Sequence, residues 1–151
     1  MRTFIILAFL LLPHSALATD ATGRVFLDSN KNGLLDVGER GIAGVRVSNG
    51  LDVVTTNDEG RYTLPVDEQS IIFITKPRDY AIPVNSHMLP QFYYIHQPAG
   101  SPAGMRYDGI APTGPLPEQI DFPLIERQES AQFEAILFAD PQPQTQRELD
   151  Y

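Results

Sequence analysis

The most chemically suggestive spacing in the sequence lies in twelve residues, Asp28-Ser29-Asn30-Lys31-Asn32-Gly33-Leu34-Leu35-Asp36-Val37-Gly38-Glu39. Asp28, Asn30, Asn32, Asp36 and Glu39 put side-chain oxygens at positions 1, 3, 5, 9 and 12. Gly33 falls at position 6, where such a loop must turn sharply, and Leu34 at position 7 offers its backbone carbonyl. This is the ligand spacing of an EF-hand loop, in which hard oxygen donors wrap one large cation, so the cofactor expected is a structural Ca²⁺. The competing reading is an Asn/Asp/Gly-rich turn that binds nothing. Five oxygen ligands in place, with the glycine, favour calcium. The frame is not that of an EF-hand: Gly23-Arg24-Val25-Phe26-Leu27 reads as a strand, and Gly38, Gly41 and Gly44 disfavour an exiting helix. A loop in a β-domain can be ordered by calcium, but it has no helix pair to open as a sensor does.

A second, sparser constellation lies near the end of the chain. Phe133 to Ala139 is a short apolar run of buried-strand character, and Asp140-Pro141-Gln142-Pro143 follows. Gln144 to Tyr151 is polar and permits a helix. A strand that ends in Asp, then a loop, then a helix start is how an α/β domain opens. His87 and His96, nine apart in a Pro-rich stretch, suit surface or packing roles better than a metal site.

These residues must be held by β-structure. From Thr22 to Ile74 apolar residues recur with period two between turn signals. Val45 and Val47 alternate with polar neighbours, and Asn49-Gly50 suits a two-residue type I′ hairpin turn with Leu51 to Thr55 as the return strand. Asn57-Asp58-Glu59-Gly60 predicts a second turn, after which Tyr62, Leu64 and Val66 share one face. Ile71 to Ile74 is apolar on both faces, as in a central sandwich strand. Between Pro77 and Pro123 there are nine prolines, and only Phe92 to Ile95 and Ile120 to Ile125 look strand-like. That region is expected to be a long ordered loop packing Tyr80, Phe92, Tyr93, Tyr94 and Tyr107 onto the sandwich.

Composition narrows the function classes. The chain has 151 residues, 11 Lys+Arg against 19 Asp+Glu and a formal charge of −8, which argues against nucleic acid as a partner. With no cysteine there is no disulfide framework, zinc-thiolate site or cysteine nucleophile. Arg2, the apolar run Phe4 to Leu12 and the small residues of Ala16-Leu17-Ala18 form a secretory signal by pattern. Nine apolar residues reach only about 14 Å as a helix, short of the roughly 30 Å of a bilayer core. Export to the periplasm or beyond is expected, with cleavage after Ala18 and no membrane partner thereafter. The expected organisation is a signal at 1–18, a sandwich core at 19–80, a Pro/Gly-rich extension and linker at 81–128, and the start of a second domain at 129–151.

A family resemblance follows from four stretches: Gly23 to Asp28, the 28–39 loop, Gly41-Ile42-Ala43-Gly44-Val45-Arg46-Val47, and Thr55-Thr56-Asn57-Asp58-Glu59-Gly60-Arg61-Tyr62. Together they resemble the B-type repeats of bacterial surface adhesins, which are transthyretin-like (prealbumin-like) β-sandwiches. They resemble more closely the amino-terminal domain of secreted calcineurin-like metallophosphoesterases, over about residues 22 to 80 strongly and 81 to 125 loosely. The resemblance implies an all-β sandwich set before a catalytic phosphoesterase domain in cis. It also implies that Asp140 and Gln142 belong to the first metal-binding strand of that domain, cut short here. Gln142 stands where the superfamily has histidine, and a carboxamide oxygen is a weaker ligand than imidazole. No Gly-Asp, no Gly-Asn-His-Asp/Glu and no histidine after His96 occurs, so the divalent transition metals of a full-length parent lack most of their ligands. The chain itself is expected to be a catalytically inert accessory domain. The alternative is a free-standing calcium-binding module for surface adhesion or for carbohydrate or matrix binding.

Overall fold

The computed structural model describes residues 19–135, 137, 145 and 147; the expected signal segment, Asp140 and Gln142 lie outside them. The described residues form eight strands and no α-helix: β1 (Thr19–Leu27), β2 (Arg46–Ser48), β3 (Val53–Thr55), β4 (Arg61–Val66), β5 (Ser70–Ile74), β6 (Tyr80–Ala81), β7 (Tyr93–His96) and β8 (Phe122–Glu126). Two four-stranded sheets result, ordered β4-β1-β8-β6 and β3-β2-β5-β7. β1 pairs antiparallel with β4 and parallel with β8, and all other strand pairs are antiparallel.

One apolar cluster joins the two sheets. Ala21, Val25, Leu64, Val66, Phe122 and Leu124 come from the first sheet, and Val47, Ile72 and Ile74 from the second. Alternation in β4 puts Tyr62, Leu64 and Val66 inward, as the period-two pattern predicts. Pro65 is tolerated because β4 lies at a sheet edge, where a missing donor breaks no second ladder.

Three expectations are corrected. The Asn49-Gly50 turn is not a two-residue hairpin: Ser48 pairs with Val53, and four residues intervene. The Asn49 carboxamide oxygen accepts from the N–H groups of both Leu51 and Asp52, which stabilises the wider loop and moves the strand start from Leu51 to Val53. The Pro-rich region is not merely an extension on a finished sandwich. Its two strand-like stretches are β7 and β8, and β8 lies inside the first sheet between β1 and β6. Tyr80, Phe92 and Tyr94 pack against the core, but Tyr107 is 71% exposed and only meets the Arg106 guanidinium at 5.1 Å. Phe133 and Leu137 are exposed and belong to no strand. Ile136, Phe138 and Ala139, the rest of that apolar run, lie outside the described residues.

The segment between β7 and β8 includes a self-closed loop. Thr113 N–H donates to the Gln97 carbonyl (3.1 Å), and Gln97 N–H donates to the Thr113 hydroxyl (2.9 Å). Within it, Ser101 and Ile110 are tied through the Ser101 N–H to the Ile110 carbonyl and the Ile110 N–H to the Ser101 hydroxyl.

Tyr62 is the polar exception in the core. It pairs with Gly23 across the β1–β4 ladder, and its phenol donates to the Ile120 carbonyl at 2.6 Å. Its ring lies over Phe122, centroids 6.2 Å apart. Burial, and to a lesser extent the negative charge of Asp121, raises the phenol pKa well above 10.0. The fold therefore holds the neutral phenol. Its stabilising contribution is complete below the unfolded-state pKa near 10 and is lost as pH rises from there toward the folded value. Stability is expected to fall by up to about 1.4 kcal/mol per pH unit in that alkaline window. Tyr62→Phe should flatten the slope and cost about 1–3 kcal/mol at neutral pH, because the Ile120 carbonyl loses this buried partner. Urea unfolding of both proteins at neutral and alkaline pH checks both parts.

Candidate functional site

The loop that leaves β1 is organised from Asp28 outward. β1 brings Asp28 to the sheet interior, where it is 2% exposed, and its N–H continues the parallel ladder to the Leu124 carbonyl at 2.9 Å. Its two carboxylate oxygens accept from the N–H groups of Asn32 (3.1 Å) and Gly33 (2.8 Å). Asn30 and Asn32 close successive Asx turns, accepting from the N–H groups of Asn32 (3.1 Å) and Leu34 (2.7 Å). Both carboxamide NH₂ groups donate to one oxygen of Asp36, each at 2.8 Å. The Glu39 carboxylate reaches back across the loop, accepting from Ser29 N–H (2.8 Å) and Asp36 N–H (3.1 Å). Lys31 and Gly33 take positive φ, 62° and 75°, giving the tight reversal expected at Gly33.

All six expected positions thus lie in one turn whose oxygens face its own N–H groups. Asp28, Asn30, Asn32, Asp36 and Glu39 are linked to one another or to the intervening backbone, while Leu34 joins through its N–H. Among the described residues, no three carboxylate, imidazole or thiol side chains are gathered in metal-holding geometry. Asp140 and Gln142, the other expected ligands, are outside the described residues.

Two arrangements had no sequence signal. Thr56, 5% exposed, donates its hydroxyl to the Ile42 carbonyl (2.7 Å) and accepts from Val45 N–H (2.9 Å), pinning the segment that returns from the loop. A second cluster holds the chain where it leaves β8. Arg127 N–H donates to the Asp79 carbonyl and Glu129 N–H to the Asp79 carboxylate, at 2.9 and 3.0 Å. Lys76 donates to Glu129 at 2.6 Å, and this hydrogen bond, with that from Asp79 N–H, holds the Glu129 carboxyl below its usual range. The partners in this cluster are some fifty residues apart in sequence, and single side chains carry no sign of such pairing. His96 is buried, and its Nδ1 has no hydrogen-bond partner among the described residues.

Fold and loop together define a two-sheet β-module with an Asx-rich loop at the carboxy end of its central strand. The sequence model of one protein family, described as the N terminal of Calcineurin-like phosphoesterase, matches residues 29–109, a little over half of the chain. The chain belongs to this family. No curated protein matches it.

Proposed function

We propose that the chain is the calcium-stabilised accessory domain of an exported calcineurin-like metallophosphoesterase, with a transthyretin-like sandwich that is not itself catalytic. The observation that carries the calcium part is Asp28. It is a buried carboxylate heading a twelve-residue loop that carries three carboxylates and one lysine, a net formal charge of −2 that one divalent cation would cancel. Burying an anion without a counter-charge is costly. The residues that would hold the ion are Asp28, Asn30, Asn32, Asp36 and Glu39, with the carbonyl of Leu34. Bound calcium would tie the loop's ends together and so hold the chain between β1 and Gly41. Family membership supports the accessory role and a catalytic domain in cis. There Asp140 and Gln142 would join a transition-metal site completed by further ligands. The apolar run at the amino terminus supports export.

The expected result is a melting temperature that falls on chelation and recovers with added calcium. Saturation at 100 times the dissociation constant corresponds to about 2.7 kcal/mol. Glu39→Gln should weaken binding, because the carboxylate at position 12 can offer two charged oxygens. Superimposable melts with and without chelator would remove calcium from this account.

A further inference from the structure

β5 is apolar on both faces, yet the sandwich covers only one of them. Ser70, Ile72 and Ile74 are buried, while Ile71 and Phe73 point outward. The ladder to β7 pairs Phe73 with Tyr93 and Ile71 with Ile95, which sets all four side chains on the outer face of the second sheet. Ile71 is 50% exposed and Tyr93 48%. A shallow groove of about 340 Å³ here is lined by Ile71, Phe73, Phe92 and Tyr93, with no charged residue. We infer that this face is where the catalytic domain that follows Glu129 docks in cis, an inference that rests on the accessory-domain reading above.

The occupant follows from where the chain leaves the sandwich. Lys76 lies just past β5, at the end where Ile74 N–H donates to the Phe92 carbonyl at 3.0 Å. Its ammonium donates to Glu129 at 2.6 Å and also to the carbonyls of Pro77 (3.0 Å) and Tyr80 (2.9 Å). With the contacts of Asp79 to Arg127 and Glu129, this clamp fixes the exit. From Phe73 to Lys76 is only about 10 Å of extended chain. A domain that begins after the clamp is therefore tethered beside the groove, and a short tether gives it a high effective concentration there. Aromatic side chains at an uncharged centre are the usual anchors of such contacts, and Phe92 already braces the Tyr93 ring edge-on at 5.3 Å. A second copy fits this face less well. Stable association of separate chains uses roughly 20–30 residues a side, far more than the groove offers. Each copy also carries a charge of −8, so two copies repel.

The test is hydroxyl-radical footprinting of two proteins, the 151-residue chain and the full-length protein with its second domain. Oxidation of Phe73 and Tyr93 should fall several-fold in the full-length protein, while Tyr107, in the loop closed by Gln97 and Thr113, reacts equally in both. Ile71→Asp in the full-length protein, checked for an unchanged β-sheet spectrum, should return Phe73 and Tyr93 toward the reactivity they have in the shorter chain. Equal reactivity of Phe73 and Tyr93 in the two proteins overturns the inference. So does protection that survives Ile71→Asp, or protection in the shorter chain that grows with its concentration, as a second copy would give. Hydrolysis of bis-p-nitrophenyl phosphate by the full-length protein is read separately. An active enzyme with this face exposed removes the docking and keeps the accessory-domain reading; an inactive protein with the face protected does the reverse.

Discussion

A side chain at residue 41 is expected to unfold the sandwich. Three backbone segments cross there: β1 at Val25, the return from the loop at Gly41-Ile42, and the turn at Glu59-Gly60. Val25 N–H donates to the Gly60 carbonyl (2.8 Å), and the Val25 carbonyl accepts from Ile42 N–H (2.9 Å). A Cβ on Gly41 would fall on the Glu59 carbonyl and within 2.7 Å of Gly60 N. These are backbone atoms, with no flexible side chain to move aside. Gly60 is constrained in turn, with φ at 76° and its own Cβ position 2.7 Å from Gly41 Cα. Overpacking a core by a methyl group costs about 1–3 kcal/mol when neighbours can relax. Here the ladder to β1 would have to break, so Gly41→Ala should lose about 3 kcal/mol or more, on the order of 10–20 °C in Tm. Gly41→Val should yield no cooperative transition. A Gly41→Ala protein that unfolds within about 1 kcal/mol of the parent would show that the crossing is looser than described.

Phe26→Ala is expected to be the most costly large-to-small change, at about 3–5 kcal/mol. Phe26 is fully buried yet stands outside the inter-sheet cluster. Alternation along β1 places Ala21 and Val25 inward, and Phe26 with Asp28 on the opposite face. The 29–40 segment leaves β1 at Asp28 and rejoins it where Gly41 bridges Phe26, so Phe26 stands in the strand between the loop's two ends, on the same face as Asp28. Loss of the Phe26 ring should lower the urea midpoint and, on the proposal that the loop binds calcium, reduce the increment in stability expected from added calcium. A Val47→Ala change between the sheets, of similar burial, should leave the calcium increment intact. Equal calcium increments in all three proteins would separate Phe26 from the loop.

How far these features could be read from sequence depends on how local their causes are. The turn at Asn57 to Gly60 and the inward face of Tyr62, Leu64 and Val66 follow from adjacent residues. Asn57 accepts from the N–H groups of Glu59 and Arg61, as its type and position predict. The reversal at Gly33 was equally legible, since an Asn/Asp/Gly-rich stretch predicts a turn there. The Asn49 turn was misread because one carboxamide takes two N–H groups and favours four residues over two. The place of β8 was invisible for a different reason. Its parallel pairing with β1 joins residues nearly a hundred apart, which no local pattern records. Gly41 looked like a helix breaker, whereas its role is steric and set by Glu59. The Asp121 contact to Arg24 spans 97 positions and has no signature at either end.

The latch between Gln97 and Thr113 means that the fifteen residues it encloses are an appendix to the sandwich rather than a part of it. Both ends are fixed at one point, by a backbone hydrogen bond and the Thr113 hydroxyl, so lengthening the interior changes only a closure entropy that grows by about 0.6 kcal/mol per doubling. Met105, exposed at the tip, marks a place where new sequence can be spliced in while the strands on either side keep their register. The domain thus has a port for added epitopes or reporters, far in sequence from the residues that hold its loop.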